Sequence, residues 1–208
     1  MKNQDRKQIS LKIYNKHKEL DPHATLTLIS PRERFSLNGF WKFQIDPNNV
    51  GVNEGWYKVD YDENLWQDIA VPSNWNFLFR NCTIPKTDGE YDGVAWYRII
   101  FTPPKSFQGH FVKLHFGAVS YRTTVWINGE KIGKHEGDYL PFEFDVSDVL
   151  KYGEKNVLGV RVVTRNANSA YTVPPPKGRN DYWVYSGIYR EVYLESTARI
   201  NVYDVFVH

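Results

Sequence analysis

The sequence predicts an all-β sandwich, on three observations. Apolar residues recur at every second position in several short runs, such as Tyr97, Ile99 and Phe101, and this is the period of a half-buried strand. Turn-forming glycine, proline and asparagine residues separate the runs, and little of the chain has a helical period. Aromatic residues make up 16% of the 208 residues, and large rings favour pleated sheets. The length suits one large domain with a sizeable core.

Each predicted strand has one apolar face. The alternation continues along the chain, and its apolar positions are Tyr97, Ile99, Phe101, Val112, Leu114, Phe116, Thr123, Val125, Ile127, Phe142, Phe144 and Val146. The intervening positions, among them Arg98, Lys113 and Glu143, are expected on the opposite faces. Further strands are predicted over 157–163 and 189–194.

Asn128 and Gly129 predict a two-residue hairpin. Both residue types tolerate the positive φ that a type I′ turn requires, so the return strand is expected to begin near Lys131. After Val146, Ser147 is expected to cap a single helical turn that ends near Gly153.

Charge and cysteine content exclude several classes of function. The formal net charge is +2, from 26 basic and 24 acidic side chains, so no strong field is available for nucleic acid or an anionic membrane. Cys82 is the only cysteine, which rules out an intrachain disulfide, and no base or orienting group near it suggests a nucleophile. The sequence contains no apolar run that predicts a membrane span, and residues 1–20 lack the apolar centre of a signal peptide.

An acidic residue followed by aromatic residues gives the strongest functional signal. Asp181 precedes Tyr182 and Trp183, shortly before the predicted last strand. A carboxylate accepts hydrogen bonds from vicinal hydroxyls, and an aromatic ring covers the C–H face of a pyranose, so the pair suits a sugar. The alternative is that Asp181 only organises the loop that follows three prolines.

A longer series of motifs resembles the N-terminal sugar-binding domain of glycoside hydrolase family 2, which includes β-galactosidases, β-glucuronidases and β-mannosidases. The resemblance spans residues 35–194, and its motifs occur in the family's order. They include Val71-Pro72-Ser73-Asn74-Trp75, Val94-Ala95-Trp96-Tyr97-Arg98, Val125-Trp126-Ile127-Asn128-Gly129 and Ser186-Gly187-Ile188-Tyr189-Arg190, with further segments at 35–43, 116–121, 133–137 and 141–146. The resemblance implies a jelly-roll β-sandwich of the galactose-binding-domain-like kind.

The resemblance also implies a domain organisation. Residues 1–26 are expected to be an N-terminal extension, 27–196 the jelly-roll domain, and 197–208 the first strand of a following immunoglobulin-like domain. In the family a (β/α)₈ barrel comes later and carries both catalytic glutamates. The chain is therefore expected to lack catalytic residues and to be inactive alone, with Glu90, Glu136, Glu143 and Glu191 as solvated charges. The His135-Glu136 pair is expected to be structural, as are Trp41, Trp75, Trp96 and Trp126.

For the site, the resemblance implies substrate contacts. Asp181 matches the family acid that reaches the barrel's active site and binds hydroxyls of the nonreducing-end sugar. Asp92 falls near a second polar contact, usually asparagine in relatives, and Trp183 flanks the sugar or packs under its loop. No metal or cofactor is expected in this chain, whereas the full-length enzyme is expected to use sodium or magnesium, and in galactosidases the acid equivalent to Asp181 helps to bind sodium.

The functional prediction is a sugar-binding part of a retaining β-glycosidase, with β-galactosidase favoured by the Asp181-Tyr182-Trp183 pattern. β-Glucuronidase, another family 2 member and a stand-alone carbohydrate-binding module remain alternatives, and a docking scaffold is a third class. The expected partners are a β-linked carbohydrate and the downstream immunoglobulin-like and barrel domains, with no nucleic acid and no membrane. Localisation of the parent protein stays open.

Overall fold

The computed structural model describes residues 32–75, 91–164 and 185–200. Its strands are β1 Glu33–Ser36, β2 Gly39–Ile45, β3 Gln67–Val71, β4 Val94–Phe101, β5 Phe111–Phe116, β6 Val119–Ser120, β7 Arg122–Ile127, β8 Glu130–Glu136, β9 Phe142–Asp145, β10 Asn156–Val163, β11 Gly187–Ile188 and β12 Val192–Thr197. A short 3-10 helix spans Lys105–Phe107.

Two antiparallel sheets form the sandwich. One has the order β1-β12-β5-β9 and the other the order β3-β2-β4-β10-β7-β8, and a small ladder joins β11 to β6. The main core lies between them and includes the predicted apolar positions Tyr97, Val112, Leu114, Val125 and Ile127, all fully buried. This arrangement confirms the predicted β-sandwich.

The predicted hairpin is present between β7 and β8. Asn128 and Gly129 have φ values of 53° and 85°, as a type I′ turn requires. β8 begins at Glu130, one residue before the predicted start. The Asn128 side chain also donates to Val149 O at 3.1 Å, which ties this turn to the segment after β9.

A second apolar cluster covers the outer face of the six-stranded sheet. Trp56 and Trp66, from the segment 46–66, pack there with Trp96 and Trp126, and the Trp96 and Trp126 rings stack at 5.1 Å. The four tryptophans predicted to be structural, including Trp41 and Trp75, are all buried. The two faces of β4 are therefore both covered, although the alternation predicted one buried face.

Arg98 shows the consequence of this second cluster. Its guanidinium is 1% exposed, pairs with the Glu63 carboxylate and donates to the carbonyl oxygens of Trp56 at 2.6 Å and Lys58 at 3.0 Å. A buried charge with a complete set of partners is tolerated, whereas an unpaired one is not. Arg98 thus fastens the covering segment to β4.

Two local predictions were wrong. Residues 147–149 form a turn rather than a helical turn, because the Ser147 hydroxyl accepts from Val112 N at 2.9 Å and so joins β5 instead of capping a helix. The last strand runs over Val192–Thr197 rather than 189–194, since Tyr189 lies outside the ladder and donates its hydroxyl to Asp138 O. The strand predicted to open an immunoglobulin-like domain lies mostly outside the described residues.

Within the three described stretches, we find no helix with the length and hydropathy of a membrane span.

Candidate functional site

Of the three predicted site residues, Asp92 is described, whereas Asp181 and Trp183 lie outside the described residues, as do Cys82 and Glu90. Asp92 directly precedes β4, where the chain enters the six-stranded sheet. The residues that flank 76–90 and 165–184 are described. They lie at one edge of the sandwich.

The residue before the segment that carries Asp181 is fixed beside Asp92. Thr164 N donates to Gly93 O at 3.0 Å, and Gly93 N donates to the Thr164 hydroxyl at 2.9 Å. This reciprocal pair joins the end of β10 to the start of β4. Two hydrogen bonds therefore hold Gly93, the residue after Asp92, against Thr164, the residue before 165–184.

The residues after that segment are fixed to the other loop. Ser186 N donates to Asn74 Oδ1 at 3.1 Å, and Trp75 N donates to Ser186 O at 3.2 Å. The Trp75 indole N–H donates to Tyr91 O at 3.1 Å, so the two ends of 76–90 are also joined. The residues that flank both segments are therefore held at this edge by a network of two separate sets of hydrogen bonds, which are buried or partly buried.

Gly187 allows this network to form. Its φ is +91°, and an added Cβ would overlap the Tyr97 hydroxyl and lie 2.9 Å from Trp75 Cε3. The Tyr97 hydroxyl accepts from Ile188 N at 3.4 Å, and burial raises the pKa of Tyr97 above its usual range. The glycine of the Ser-Gly-Ile motif is thus required by backbone conformation and by close packing.

A cavity of about 730 Å³ opens at the same edge. Its rim includes Asp92 and Tyr91, and burial raises the pKa of Tyr91 to about 12, so the phenol stays protonated and donates to Val94 O at 2.9 Å. The floor consists of two rows of cross-strand neighbours on the outer face of the sheet. The rows are Arg161–Thr124–Lys134 and Val163–Arg122–Glu136.

Charged side chains in the cavity differ in how fully they are bonded. Glu136 accepts from Arg122 Nε at 3.1 Å and from the Tyr121 hydroxyl at 3.0 Å. Arg161 donates through Nη2 to Asn49 Oδ1 at 2.6 Å, but its buried Nε has no hydrogen-bond partner. Burial lowers the pKa of Arg161, and the Asp46 carboxylate acts in the opposite direction.

His135 and Glu136 end β8, and each makes contacts within the sandwich. The His135 ring stacks on Phe142 with 3.9 Å between centroids, and burial lowers the pKa of His135, which favours the neutral ring. Among the described residues, no group of three histidine, cysteine or acidic side chains could hold a metal ion. Glu143 pairs with Lys113, and Glu191 is exposed.

Arg161 was not predicted as a site residue. A sequence signal did exist, because Arg161 is the one charged residue of β10, Asn156–Val163, which is otherwise apolar apart from Asn156. What the sequence did not show is that its neighbours across the sheet are Thr124 and Lys134.

An exposed apolar patch lies next to the cavity. Tyr139, Leu140 and Tyr185 are 40%, 73% and 39% exposed, and the Tyr185 ring stacks on Tyr189 at 5.0 Å. A smaller pocket of about 290 Å³, which shares His135 and Glu136 with the cavity, includes Tyr139 and Leu140.

Comparison with known proteins places this architecture in a family. The family model described as the sugar-binding domain of family 2 glycosyl hydrolases matches residues 35–198. A β-glucuronidase of Paenibacillus borealis is 29% identical over 90% of the chain, and a β-galactosidase of Priestia megaterium is 32% identical over 83%. A β-glucuronidase from Ruminococcus gnavus, solved with uronic isofagomine, covers 80% of the chain with a TM-score of 0.68 and 30% identity.

These relatives are much longer than the chain. The match spans 32% of the Paenibacillus protein, 18% of the Priestia protein and 29% of the Ruminococcus structure. The chain belongs to glycosyl hydrolase family 2, and residues 35–198 are its sugar-binding domain.

Proposed function

We propose that this domain belongs to a longer retaining β-glycosidase, supports the catalytic barrel and supplies the Asp181 carboxylate to the nonreducing-end sugar. The observation that carries the proposal is a network of two hydrogen-bonded pairs, Thr164 with Gly93 and Ser186 with Asn74. Thr164 precedes 165–184, the segment that contains Asp181, and Gly93 follows Asp92, the other predicted sugar contact.

The covalent chain limits how far Asp181 can be from this network. Each residue of a fully extended chain spans about 3.5 Å, and only a few residues separate Asp181 from Ser186. The covalent chain therefore keeps Asp181 within about 18 Å of Ser186.

The chemistry of the three residues fits a pyranose. The Asp181 carboxylate would accept hydrogen bonds from two vicinal hydroxyls, Asp92 would provide a second polar contact, and the Trp183 ring would cover a C–H face or support the loop. When present in the longer enzyme, a sodium or magnesium ion would require oxygen ligands beyond this domain.

The exposed patch formed by Tyr139, Leu140 and Tyr185 supports the proposed contact with further domains. Exposed clusters of large apolar side chains typically mark interaction surfaces. The patch lies on the same side of the cavity as Glu136 and His135, so a barrel seated there would close the site next to Asp92.

For specificity we propose β-galactosidase, because the Asp181-Tyr182-Trp183 pattern before Ser186-Gly187-Ile188 is closer to that branch. β-Glucuronidase is the second candidate, favoured by the solved structures that the fold matches. Assay of the longer protein with aryl β-galactoside, β-glucuronide and β-mannoside at equal concentration decides between them, and exclusive turnover of the glucuronide would reject the first.

We expect the 208-residue chain alone to hydrolyse none of these aryl glycosides, because a retaining mechanism needs two carboxyl groups about 5 to 5.5 Å apart on the barrel. Release of nitrophenol by the purified chain is the measurement. Turnover that persists through purification and disappears in Glu143→Gln or Glu191→Gln would contradict the proposal.

In the longer enzyme, we expect Asp181→Asn to reduce kcat/KM by about 10- to 100-fold, because hydrogen bonds to a charged group contribute about 1.5–3 kcal/mol. Steady-state kinetics and thermal melting are the measurements, and the melting temperature is expected to stay unchanged. Asp60→Asn, at an exposed position in the covering segment, is the matched control. Equal kcat/KM for the two variants would exclude Asp181 as a substrate contact.

A further inference from the structure

The carboxylates that line the cavity on the outer face of the six-stranded sheet are bonded, whereas one of its cations is not fully bonded. Glu136 accepts from Arg122 and Tyr121, and Asp92 also takes part in an interaction. Among the described residues of the lining, the buried side-chain atoms without a hydrogen-bond partner are Thr123 Oγ1, His135 Nε2 and Arg161 Nε. A ligand with an anionic group would therefore meet a cation in this lining.

Two cations of the lining lie in one row. Arg161 donates through Nη2 to Asn49, and its buried Nε has no hydrogen-bond partner. Lys134 makes no ion pair or hydrogen bond with the described residues, and its side chain is exposed. An unbonded buried donor costs free energy, which applies to Arg161, whereas Lys134 is solvated and contributes a second positive charge.

The geometry of the row suits a single anionic group. Arg161 is the cross-strand neighbour of Thr124, and Thr124 is the neighbour of Lys134, so all three side chains project from the same face of the sheet. Adjacent strands lie about 4.8 Å apart, which places the Cα atoms of Arg161 and Lys134 about 10 Å apart. Long cationic side chains at this separation reach one carboxylate or sulfate from two sides.

Beside this row the floor has an apolar part, which fits a ring rather than an inorganic ion. Val94 and Val163 are neighbours across β4 and β10 and line the cavity beside this row. Branched aliphatic side chains cover the C–H face of a sugar, and a volume of about 730 Å³ falls in the range of small-ligand sites.

We propose that this cavity binds an acidic saccharide unit, a pyranose that carries a carboxylate or sulfate, through Arg161 and Lys134. The inference rests on the proposed function, since it assumes that the domain meets carbohydrate. The unit is a second one beside the sugar that Asp181 contacts, since Asp92 lies on the rim of the cavity while Arg161 and Lys134 lie on its floor.

Titration of the 208-residue chain tests the site without the catalytic barrel. The ligands are methyl β-D-glucuronide, glucose 6-sulfate, methyl β-D-glucoside and inorganic sulfate, followed by calorimetry or by NMR shifts of backbone amides. We expect the two acidic sugars to bind in the millimolar range and at least fivefold more tightly than the glucoside, with shifts at residues of β7, β8 and β10.

Three variants assign the binding to its residues. Arg161→Gln and Lys134→Gln are each expected to weaken binding of the acidic sugar at least fivefold, and Lys134→Gln carries no risk to folding because its side chain is exposed. Lys155→Gln removes the same charge just before the other end of β10 and is expected to leave the affinity unchanged. Asp181→Asn is also expected to leave it unchanged, which separates this cavity from the proposed catalytic site.

Several results would overturn the proposal. Equal affinity for the glucoside would mean that the cationic pair makes no contribution, and equal affinity for inorganic sulfate would mean that no sugar ring is recognised. Absence of binding by either acidic sugar at 50 mM, about ten times the expected range, would reject the site outright. Absence of acidic-sugar binding would leave the expected kinetics of Asp181→Asn unchanged, so the two proposals are tested independently.

Discussion

Gly187→Ala is expected to destabilise the domain by about 2–5 kcal/mol. Two costs add. A residue with a Cβ at φ +91° is strained by about 1–2 kcal/mol, and overpacking of a dense core typically costs a further 1–3 kcal/mol. The new Cβ would meet the Tyr97 hydroxyl and the Trp75 ring, both of which are fully buried and cannot move aside.

Thermal and urea unfolding of the 208-residue chain measure the effect. For a protein of this length, the predicted free-energy loss corresponds to a fall in melting temperature of about 10 °C. Gly109→Ala is the matched control, because Gly109 has a similar φ of +85° but no atom within 4 Å of its added Cβ. We expect the control to lose about 1–2 kcal/mol. Similar losses for the two variants would mean that backbone strain alone explains the Ser-Gly-Ile motif.

The inner faces of the strands were predictable because they depend only on local alternation. A strand places every second side chain on one face, so alternation alone predicts that Val112, Leu114 and Phe116 are buried, without information about the adjacent strands. The Asn128-Gly129 hairpin was predictable for a similar reason, since two adjacent residues with positive φ define the turn.

The outer face was not predictable by the same means. Alternation shows that Trp96 and Arg98 share a face of β4, but not that the segment 46–66 folds back over it. Arg98 therefore looked like a solvated charge, although it is buried against Glu63. A contact between positions far apart in the sequence leaves no periodic signal in either segment.

The candidate site illustrates the same limit. Asp181 and Asp92 were predicted from motifs, which are local in sequence. Arg161 and Lys134 became a pair only when the register of β10, β7 and β8 placed them in one row. Family resemblance did not reveal them either, because Arg161 lies outside the family's motifs and Lys134, although it falls in the segment 133–137, is not among the contacts that the resemblance implies.

Asp46→Ala is expected to destabilise the domain by about 3–5 kcal/mol, because one buried carboxylate organises the start of the covering segment. Its oxygens accept from Val50 N at 2.8 Å, from Gly51 N at 2.9 Å and from the Trp96 indole at 3.0 Å. The residue is 1% exposed, so water cannot replace these bonds, and each buried donor without an acceptor costs about 1–3 kcal/mol.

Asp46→Asn separates the loss of hydrogen bonds from the loss of volume. The amide keeps one acceptor oxygen but directs an N–H₂ group at a donor, so we expect about half of the loss measured for alanine. Asp60→Ala, at an exposed position of the same segment, is expected to cost less than about 0.5 kcal/mol. Urea unfolding followed by tryptophan fluorescence reports directly on the second cluster, since Trp56 and Trp96 belong to it.

The Asp46 substitutions also link the stability of the segment to the proposed saccharide cavity. Asn49 N donates to Asp46 O at 3.0 Å, and the Asn49 side chain holds the Arg161 guanidinium. If Asp46 positions this part of the segment, Asp46→Asn will weaken binding of the acidic sugar while the protein remains folded, and the loss will not add to that of Arg161→Gln in the double variant. Full additivity of the two losses would show that the Asp46 carboxylate does not position Arg161. A melting temperature of Asp46→Ala equal to that of the unsubstituted chain would show that the carboxylate does not anchor the segment.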